Sequence, residues 1–392
     1  MDTMRPYLVI PKLIEQPTWG GDYIIKTKRW ENKTDFANLR IGQAYEIYNG
    51  SNLSLLTSSD DPNFSGEVTS SGSVNDRTTP LESVALIDLI TQNPQQTLGT
   101  INQQRYGTFM HLLIKFTQAK GNSFQLHIKD GTKHPNWKPK PESWYFFEPG
   151  FVTLGVKPFT DWAQYQKAVT DLEAQVLEIG KQVADKTLEY TEAKNRISEL
   201  KATYNPWQFV NSFYPEPEAL IDLSACGIHH SWEEDAEKFP LGNVVYELQL
   251  DVLDNVSTIR NFDKGKMAAD GSTRPLQIAD YFEQIDRSQK ANLPQTHIKE
   301  PQRIADTNDY SLERLLQTSY YTLEKLIFKA TGNFGKQISE FNHLFVKEGV
   351  VEVVAGNTMI TVSTGHSAFI PAGAINYQIR AKLPRSVVLI SF

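Results

Sequence analysis

The chain has 392 residues, which is enough for two or three domains with substantial cores. Its 39 basic and 46 acidic residues give a net charge of −7 with histidine neutral, which argues against a nucleic-acid-binding protein. The single cysteine, Cys226, excludes an internal disulfide and favours an intracellular setting.

No segment of the sequence has the pattern of a membrane or export signal. Residues 1–13 lack the apolar core of a signal peptide, and no apolar run approaches the ~20 residues that span a bilayer. We therefore expect a cytoplasmic protein without membrane or nucleic-acid partners. The sequence does not indicate an oligomeric state.

The first half of the chain alternates predicted strands and loops. Residues 41–48 read as a strand. A helix is predicted from Thr79, as N-cap, to about Gln92, because Pro80 suits the first helical position and Glu82 completes a capping box. Residues 112–116 and 124–129, separated by a Gly-containing turn, predict a β-hairpin.

Residues 159–204 have a different pattern. Apolar or aromatic residues recur at three- and four-residue spacing, with one break at Lys186, and Asp161 or Thr160 can cap the start. The pattern predicts one long helix or a helical hairpin. It is either an insertion that packs on the body of the protein or a dimerising coil.

Strands return after Pro206, at residues 219–225 and 243–252, and residues 274–285 predict a short helix. The remaining C-terminal residues alternate β-branched and polar residues between Gly-containing turns, which predicts a small antiparallel barrel or sandwich. The chain is therefore expected to be mainly β, with a helical insertion at about 159–204.

Polar side chains on three predicted strands suggest a metal site. Gln125 and His127 share one face of a strand, while Phe124, Leu126 and Ile128 share the other. Glu142 begins the next strand, and a Gly turn with two histidines, His229 and His230, follows downstream. Two nitrogens and two oxygens suit a catalytic Zn²⁺, or less selectively Mn²⁺, Fe²⁺ or Co²⁺.

These motifs, in this order, resemble the type I phosphomannose isomerases of the cupin superfamily. The family has a Gln-x-His strand, a Lys-x-Glu segment before an aromatic strand, and a Gly-x-x-His turn. Further matching stretches are Trp19-Gly20-Gly21, IGQAYEI at 41–47, STIRNFDKG at 257–265, RPL at 274–276, and the C-terminal GVVEVVAGN and AFIPAG.

The resemblance implies two cupin (jelly-roll) barrels in tandem, with a catalytic domain over residues 1–290 and a smaller β domain over 291–392. It selects His230 over His229, so that Gln125, His127, Glu142 and His230 would bind one Zn²⁺ per chain. The implied activity is the interconversion of mannose 6-phosphate and fructose 6-phosphate through a cis-enediol.

In that activity, the resemblance assigns Arg260 to stabilise the enediolate, and Lys140 or Glu247 to transfer the proton. Lys129, Lys133 and Lys138 are possible phosphate contacts, although a solvated loop face is the more ordinary explanation for each.

The sequence departs from the family pattern at several positions. Gln43 and Tyr45 replace a Glu and a Trp, Ile128 replaces a Pro, and Pro139 stands where some members have a His. These substitutions favour an alternative, a non-catalytic cupin that binds a sugar or sugar phosphate for regulation. A metal-dependent cupin of another class, such as a dioxygenase, would usually offer more His ligands.

Overall fold

The computed structural model describes residues 2–70 and 82–392. The strands are β1 Tyr7–Ile10, β2 Lys12–Glu15, β3 Ile41–Ile47, β4 Asn52–Ser54, β5 Glu67–Ser70, β6 Ser83–Ala85, β7 Leu112–Ala119, β8 Phe124–Leu126, β9 Glu142–Phe146, β10 Val152–Val156, β11 Val210–Phe213, β12 Leu220–Asp222, β13 His230–Trp232, β14 Asn243–Leu250, β15 Ile259–Phe262, β16 Ile298–Lys299, β17 Gln302–Asp306, β18 Tyr310–Gln317, β19 Thr322–Phe328, β20 Asn333–Gln337, β21 Asn342–Glu348, β22 Val350–Ala355, β23 Thr358–Ser363, β24 Ser367–Ile370, β25 Asn376–Ala381 and β26 Val387–Ser391.

The α-helices are fewer and mostly short. They are α1 Tyr23–Thr27, α2 Leu86–Gln92, α3 Pro94–Leu98, α4 Thr100–Tyr106, α5 Trp162–Ala184, α6 Tyr190–Tyr204 and α7 Ile278–Gln284. The mainly β prediction is therefore confirmed. None of the described helices combines the length and apolarity needed to cross a membrane.

The strands form four sheets. One has the order β16-β12-β9-β14-β7-β3-β2-β5, and a second has the order β11-β10-β13-β8-β15. Trp144 and Phe146 of the first sheet pack with Val152, Leu154 and Trp232 of the second in one apolar cluster. These two sheets therefore lie face to face, with their inner faces directed at a shared interior.

Most strands of the other two sheets come from the C-terminal part of the chain. Their orders are β17-β18-β19-β26-β21-β24-β1-β4-β6 and β20-β25-β22-β23. The first of these includes strands from both ends of the chain, because β1 pairs with β24 through Tyr7↔Phe369 and Leu8↔Ala368. The predicted antiparallel C-terminal structure is present, and one of its sheets continues into the first residues of the protein.

One local prediction is wrong, and another holds only from Leu86 onward. Residues 112–129 do not form a hairpin: β7 pairs with β3 and β14, while β8 pairs with β13 and β15 in the opposite sheet. The predicted helix start at Thr79 and Pro80 lies outside the described residues. Residues Ser83–Ala85 are a strand paired with β4, and the helix begins only at Leu86.

Residues 159–204 fold as a helical hairpin. Asp161 caps α5, its side chain accepting hydrogen bonds from the backbone N–H groups of Ala163 and Gln164. Lys186, at the predicted break, has a φ of 57° in the turn before α6. The buried face of the hairpin packs on the outer face of the five-stranded sheet, where it shares a cluster with Phe124, Leu126 and Ile128.

This packing predicts that the hairpin contributes to the stability of the whole sheet. Leu172 of α5 is 1% exposed within the cluster, whereas Leu177 of the same helix is 45% exposed. Leu172→Ala should lower the free energy of unfolding by about 2–5 kcal/mol, through lost burial and the cavity left behind. Leu177→Ala should change it by less than about 0.5 kcal/mol. Urea denaturation of the two variants measures both values, and equal effects would contradict the packing.

Candidate metal centre and adjoining cavity

Three buried side chains from three strands meet between the two facing sheets. Glu142 begins β9 in one sheet, while His127, just after β8, and His230, in β13, belong to the other. His127 Nε2 lies 3.3 Å from Glu142 Oε2, and His230 Nε2 lies 3.5 Å from Glu142 Oε1. One ligand atom from each residue lies within 4.8 Å of the others, so this group could hold a metal ion.

Backbone carbonyls orient both imidazole rings. The Nδ1 atom of His127 lies 2.7 Å from Ser257 O, and that of His230 lies 3.1 Å from Ile228 O. A carbonyl only accepts, so each Nδ1 carries a proton, and in the neutral ring each Nε2 presents its lone pair. Within the described residues, neither buried Nε2 atom makes a hydrogen bond.

The donor set fits a divalent cation. Two imidazole lone pairs and a carboxylate facing one another repel in a buried site, and a cation among them converts that repulsion into attraction. The same hydrogen bond from Nδ1–H to a carbonyl commonly orients histidines that bind metals. The site thus has both the ligand atoms and the supporting groups of a metal centre.

The charges of the three groups are consistent with this assignment. Burial lowers the pKa of His230 to about 4, although the charge of Glu142 acts to raise it. Burial acts to raise the pKa of Glu142, but His127, Lys140 and His230 together hold it below its ordinary value. At neutral pH the site therefore contains a neutral imidazole at His230 and an ionised carboxylate, which are the forms that bind metals.

The fourth predicted ligand, Gln125, is adjacent to this group. It lies directly across from His230 in the register of β8 and β13, and it lines the same cavity as Glu142. Its Nε2 donates to Ser123 Oγ at 3.1 Å. Because its amide nitrogen is engaged in that bond, the Oε1 atom is its candidate ligand atom.

His229 points away from the group, as alternation along the chain requires. Its Nε2 contacts Thr153 Oγ1 at 2.8 Å, and its Nδ1 contacts the Tyr281 hydroxyl at 2.7 Å. Both ring nitrogens therefore have partners on the outer side of the sheet. His229 consequently has a structural environment, and His230 alone of the two contributes to the candidate metal group.

A cavity of about 230 Å³ adjoins the metal group, with Gln125 and Glu142 in its wall. The three predicted catalytic residues, Lys140, Glu247 and Arg260, all line it as well. Its other charged residues are Lys115, Asp254, Lys266 and Arg274. The structure thus brings the predicted catalytic and ligand residues to one place.

Lys140 and Arg260 share a carboxylate partner. Lys140 Nζ donates to Asp254 Oδ1 at 2.8 Å and lies 3.9 Å from Glu142 Oε2. Arg260 Nη2 lies 4.0 Å from Asp254 Oδ2, and its Nη1 donates to Thr258 O. Asp254 therefore holds both cations at the cavity wall.

Glu247 is buried beside Lys115. Glu247 Oε1 lies 3.4 Å from Lys115 Nζ, while its Oε2 has no hydrogen-bond partner among the described residues. Burial raises the pKa of Glu247 above its ordinary value, and the nearby Lys115 charge only partly offsets this. A carboxylate with a raised pKa is a better proton acceptor near neutral pH.

Sequence reasoning missed Lys115 and Asp254. Lys115 is the only charged residue of β7, which was a signal available in the sequence. Its role, however, depends on Glu247, which lies opposite it on the neighbouring strand β14. Asp254 begins a short 3₁₀-helix, Asp254–Val256, between β14 and β15, and no sequence motif marked it. The proposed phosphate contacts Lys129, Lys133 and Lys138 are exposed, and none of them lines the cavity.

Comparison with known proteins supports the fold. No protein-family model matches the chain, and no curated protein matches it by sequence. It is similar to the mannose 6-phosphate isomerase of Bacillus subtilis, with a TM-score of 0.65, 14% identity, and 99% of each chain covered. It is also similar to a variant of phosphomannose isomerase from Salmonella typhimurium, with a TM-score of 0.64, 14% identity, and 100% of this chain and 99% of that chain covered.

A zinc-bound mannose 6-phosphate isomerase is similar as well, with a TM-score of 0.62, 15% identity, and 100% of this chain and 99% of that chain covered. At these identities the likeness shows a shared fold. The buried His127–Glu142–His230 group is an independent observation on this chain.

The geometry predicts different effects for the two adjacent histidines. His230→Ala should weaken Zn²⁺ binding by more than the roughly 10–100-fold that loss of a supporting hydrogen bond costs. His229→Gln should keep the ion even if stability falls, because His229 contacts Thr153 and Tyr281 instead. Elemental analysis and competition with a chelator measure both. Retention of the ion in His230→Ala with loss in His229→Gln would contradict the assignment.

Proposed function

We propose that this protein is a metal-dependent aldose–ketose isomerase that interconverts mannose 6-phosphate and fructose 6-phosphate. The observation that carries the proposal is the buried His127–Glu142–His230 group, which adjoins a charged cavity in a fold shared with mannose 6-phosphate isomerases. One of those similar structures contains zinc. We propose one Zn²⁺ per chain, bound by these three residues and Gln125.

The bound ion would act as a Lewis acid that polarises the sugar oxygens. The chain supplies the remaining requirements of the reaction. A proton must move between adjacent carbons, negative charge develops on the enediolate oxygens, and the substrate must be held so that the reacting carbons face the base.

Glu247 is our first candidate for the base. Its unpaired Oε2 and its raised pKa suit proton abstraction, and Lys115 holds the other carboxylate oxygen in place. Lys140 is the second candidate, because it lines the same cavity and lies beside Glu142. If Glu247 takes the proton, the Lys140 ammonium is free to donate a hydrogen bond to a sugar oxygen.

Arg260 suits the stabilisation of enediolate charge. Its guanidinium is permanently charged, and its buried Nε has no partner within the described residues. A preorganised donor directed at developing charge is among the strongest catalytic contributions available to a protein. Asp254 and Thr258 fix the other side of the guanidinium.

The arrangement of sheets is compatible with two cupin-like units in tandem. We propose that residues 1–290, including the α5–α6 hairpin, form the catalytic unit, and that residues 291–392 form a smaller β unit. The two units share strands, because β1, β4 and β6 belong to the nine-stranded sheet and β16 belongs to the eight-stranded sheet. We further propose a cytoplasmic enzyme whose partner is a small sugar phosphate, with no role for nucleic acid.

One observation favours a second function. Gln43, which replaces a family glutamate, lines the cavity. Loss of an acidic group there is compatible with a regulatory protein that binds a sugar phosphate without isomerising it.

An assay of the wild-type protein separates the two functions. With the metal bound, we expect solvent tritium to be incorporated into mannose 6-phosphate and fructose 6-phosphate, and incubation with a chelator should abolish this exchange. A fully metal-loaded protein that binds either sugar without exchange would favour the regulatory function. If it bound neither sugar, both proposals would be wrong.

The catalytic assignments predict slower isomerisation in three variants, each of which should keep its metal centre intact. Glu247→Gln should slow isomerisation by about 10²–10⁴-fold if Glu247 is the base, and Lys140→Ala should do so if Lys140 is. Arg260→Ala should lower kcat by about 10²–10³-fold through lost charge stabilisation. Steady-state kinetics, together with the zinc content of each variant, measure these effects. Near wild-type rates in all three would refute the assignment.

A further inference from the structure

The segment after β15, residues 263–274, forms part of the cavity edge and is called the cationic rim here. Two of its basic residues, Lys266 and Arg274, line the cavity. Lys266 Nζ donates to Gly121 O at 3.2 Å, and Arg274 Nε lies 3.7 Å from Asp263 Oδ2. The Arg274 side chain is 53% exposed. Two basic side chains at the cavity edge favour an anionic ligand, while Asp263 partly balances the charge of Arg274.

The cationic rim contains no helix or strand. Its backbone hydrogen bonds are local, joining Lys266 to Asp263, Ala268 to Ser272, and Gly271 to Ala268. Its first residues are anchored to the sheet, because Lys264 Nζ donates to Trp232 O at 2.6 Å and pairs with Glu233 at 2.8 Å. The Lys266 side chain is also held by Gly121 O, and the position of the backbone from Met267 to Gly271 must depend on other neighbours.

Those neighbours belong to the α5–α6 hairpin. The Tyr190 hydroxyl, at the start of α6, donates to Met267 O at 3.1 Å, and Met267 packs against the cluster beneath the hairpin. At Gly180 of α5, the helix backbone lies against Gly271, so that a Cβ atom built there would overlap the Gly271 carbonyl oxygen. A Cβ atom at Gly265 would likewise overlap Ile197 of α6.

We propose that the α5–α6 hairpin sets the position of the cationic rim and thereby the affinity of the cavity for an anionic substrate. Three separate contacts, at Gly265, Met267 and Gly271, join the two elements in addition to the anchor at Lys264. The hairpin is therefore a positioning element, which acts through Lys266 and Arg274 without contacting the ligand. The identification of the anion as a sugar phosphate rests on the proposed function.

Tyr190→Phe tests the positioning role with little change to the packing of the hairpin, because it removes only the hydroxyl that donates to Met267 O. Tyr204→Phe is the matched control, since the Tyr204 hydroxyl contacts Gln175 within the hairpin. In the zinc-loaded protein, backbone hydrogen exchange across residues 264–274 should accelerate in Tyr190→Phe and stay at the wild-type rate in Tyr204→Phe. Gly180→Ala should produce the same change more strongly.

The second measurement is kinetic. In Tyr190→Phe, KM for mannose 6-phosphate should rise between about 2- and 10-fold, the range that loss of one hydrogen bond allows. The value of kcat and the zinc content should stay unchanged, because within the described residues no hydrogen bond or ion pair joins the metal group or Glu247 to the hairpin. A lowered kcat at constant KM would overturn the proposal, since it would place the effect on the chemistry and not on anion binding.

The two measurements separate this proposal from the proposed function. Unchanged hydrogen exchange in both Tyr190→Phe and Gly180→Ala would refute the positioning role, whatever the activity. Faster exchange with an unchanged KM would refute the link to affinity. If the wild-type protein neither isomerises nor binds mannose 6-phosphate, the proposed function fails, and binding of inorganic phosphate takes the place of KM in the same comparison of variants.

Discussion

The burial of one carboxylate between two imidazole lone pairs is the constraint on which the arrangement around the site depends. Glu142 comes from one sheet, and His127 and His230 come from the other, so the group exists only when the two sheets face each other at the correct separation. Ser257 O and Ile228 O fix the tautomers that create the constraint. A buried carboxylate beside two imidazole lone pairs is costly without a cation, and the group could hold a metal ion.

The segment 124–128, which consists of β8 and the two residues after it, separates two environments. Its Phe124, Leu126 and Ile128 face the helical hairpin, and its polar residues face the cavity. Alternation of side chains along the strand made this division predictable from the sequence. The apolar spacing in α5 and its Asp161 cap likewise made the helix predictable. These features were accessible because each depends on residues that are close together in the chain.

The features that sequence reasoning missed depend on residues that are far apart in the chain. The apolar pattern of β7 and β8 identified two strands, but it carried no information that they pair in different sheets. Ser83–Ala85 form a strand because β4 offers backbone partners, which outweighs the local helix signal. Lys115 acquires its role from Glu247, and Asp254 from Lys140 and Arg260.

The pairing of β1 with β24 has a consequence for how the protein is made. Residues 7 and 8 pair with residues 369 and 368, so this strand pair is a strongly non-local contact. During synthesis the first strand leaves the ribosome long before its partner exists, at a rate of about 5–20 residues per second. β4 can pair with one edge of β1 early, but the edge that faces β24 stays unpaired for most of translation, and an unpaired strand edge is prone to aggregation.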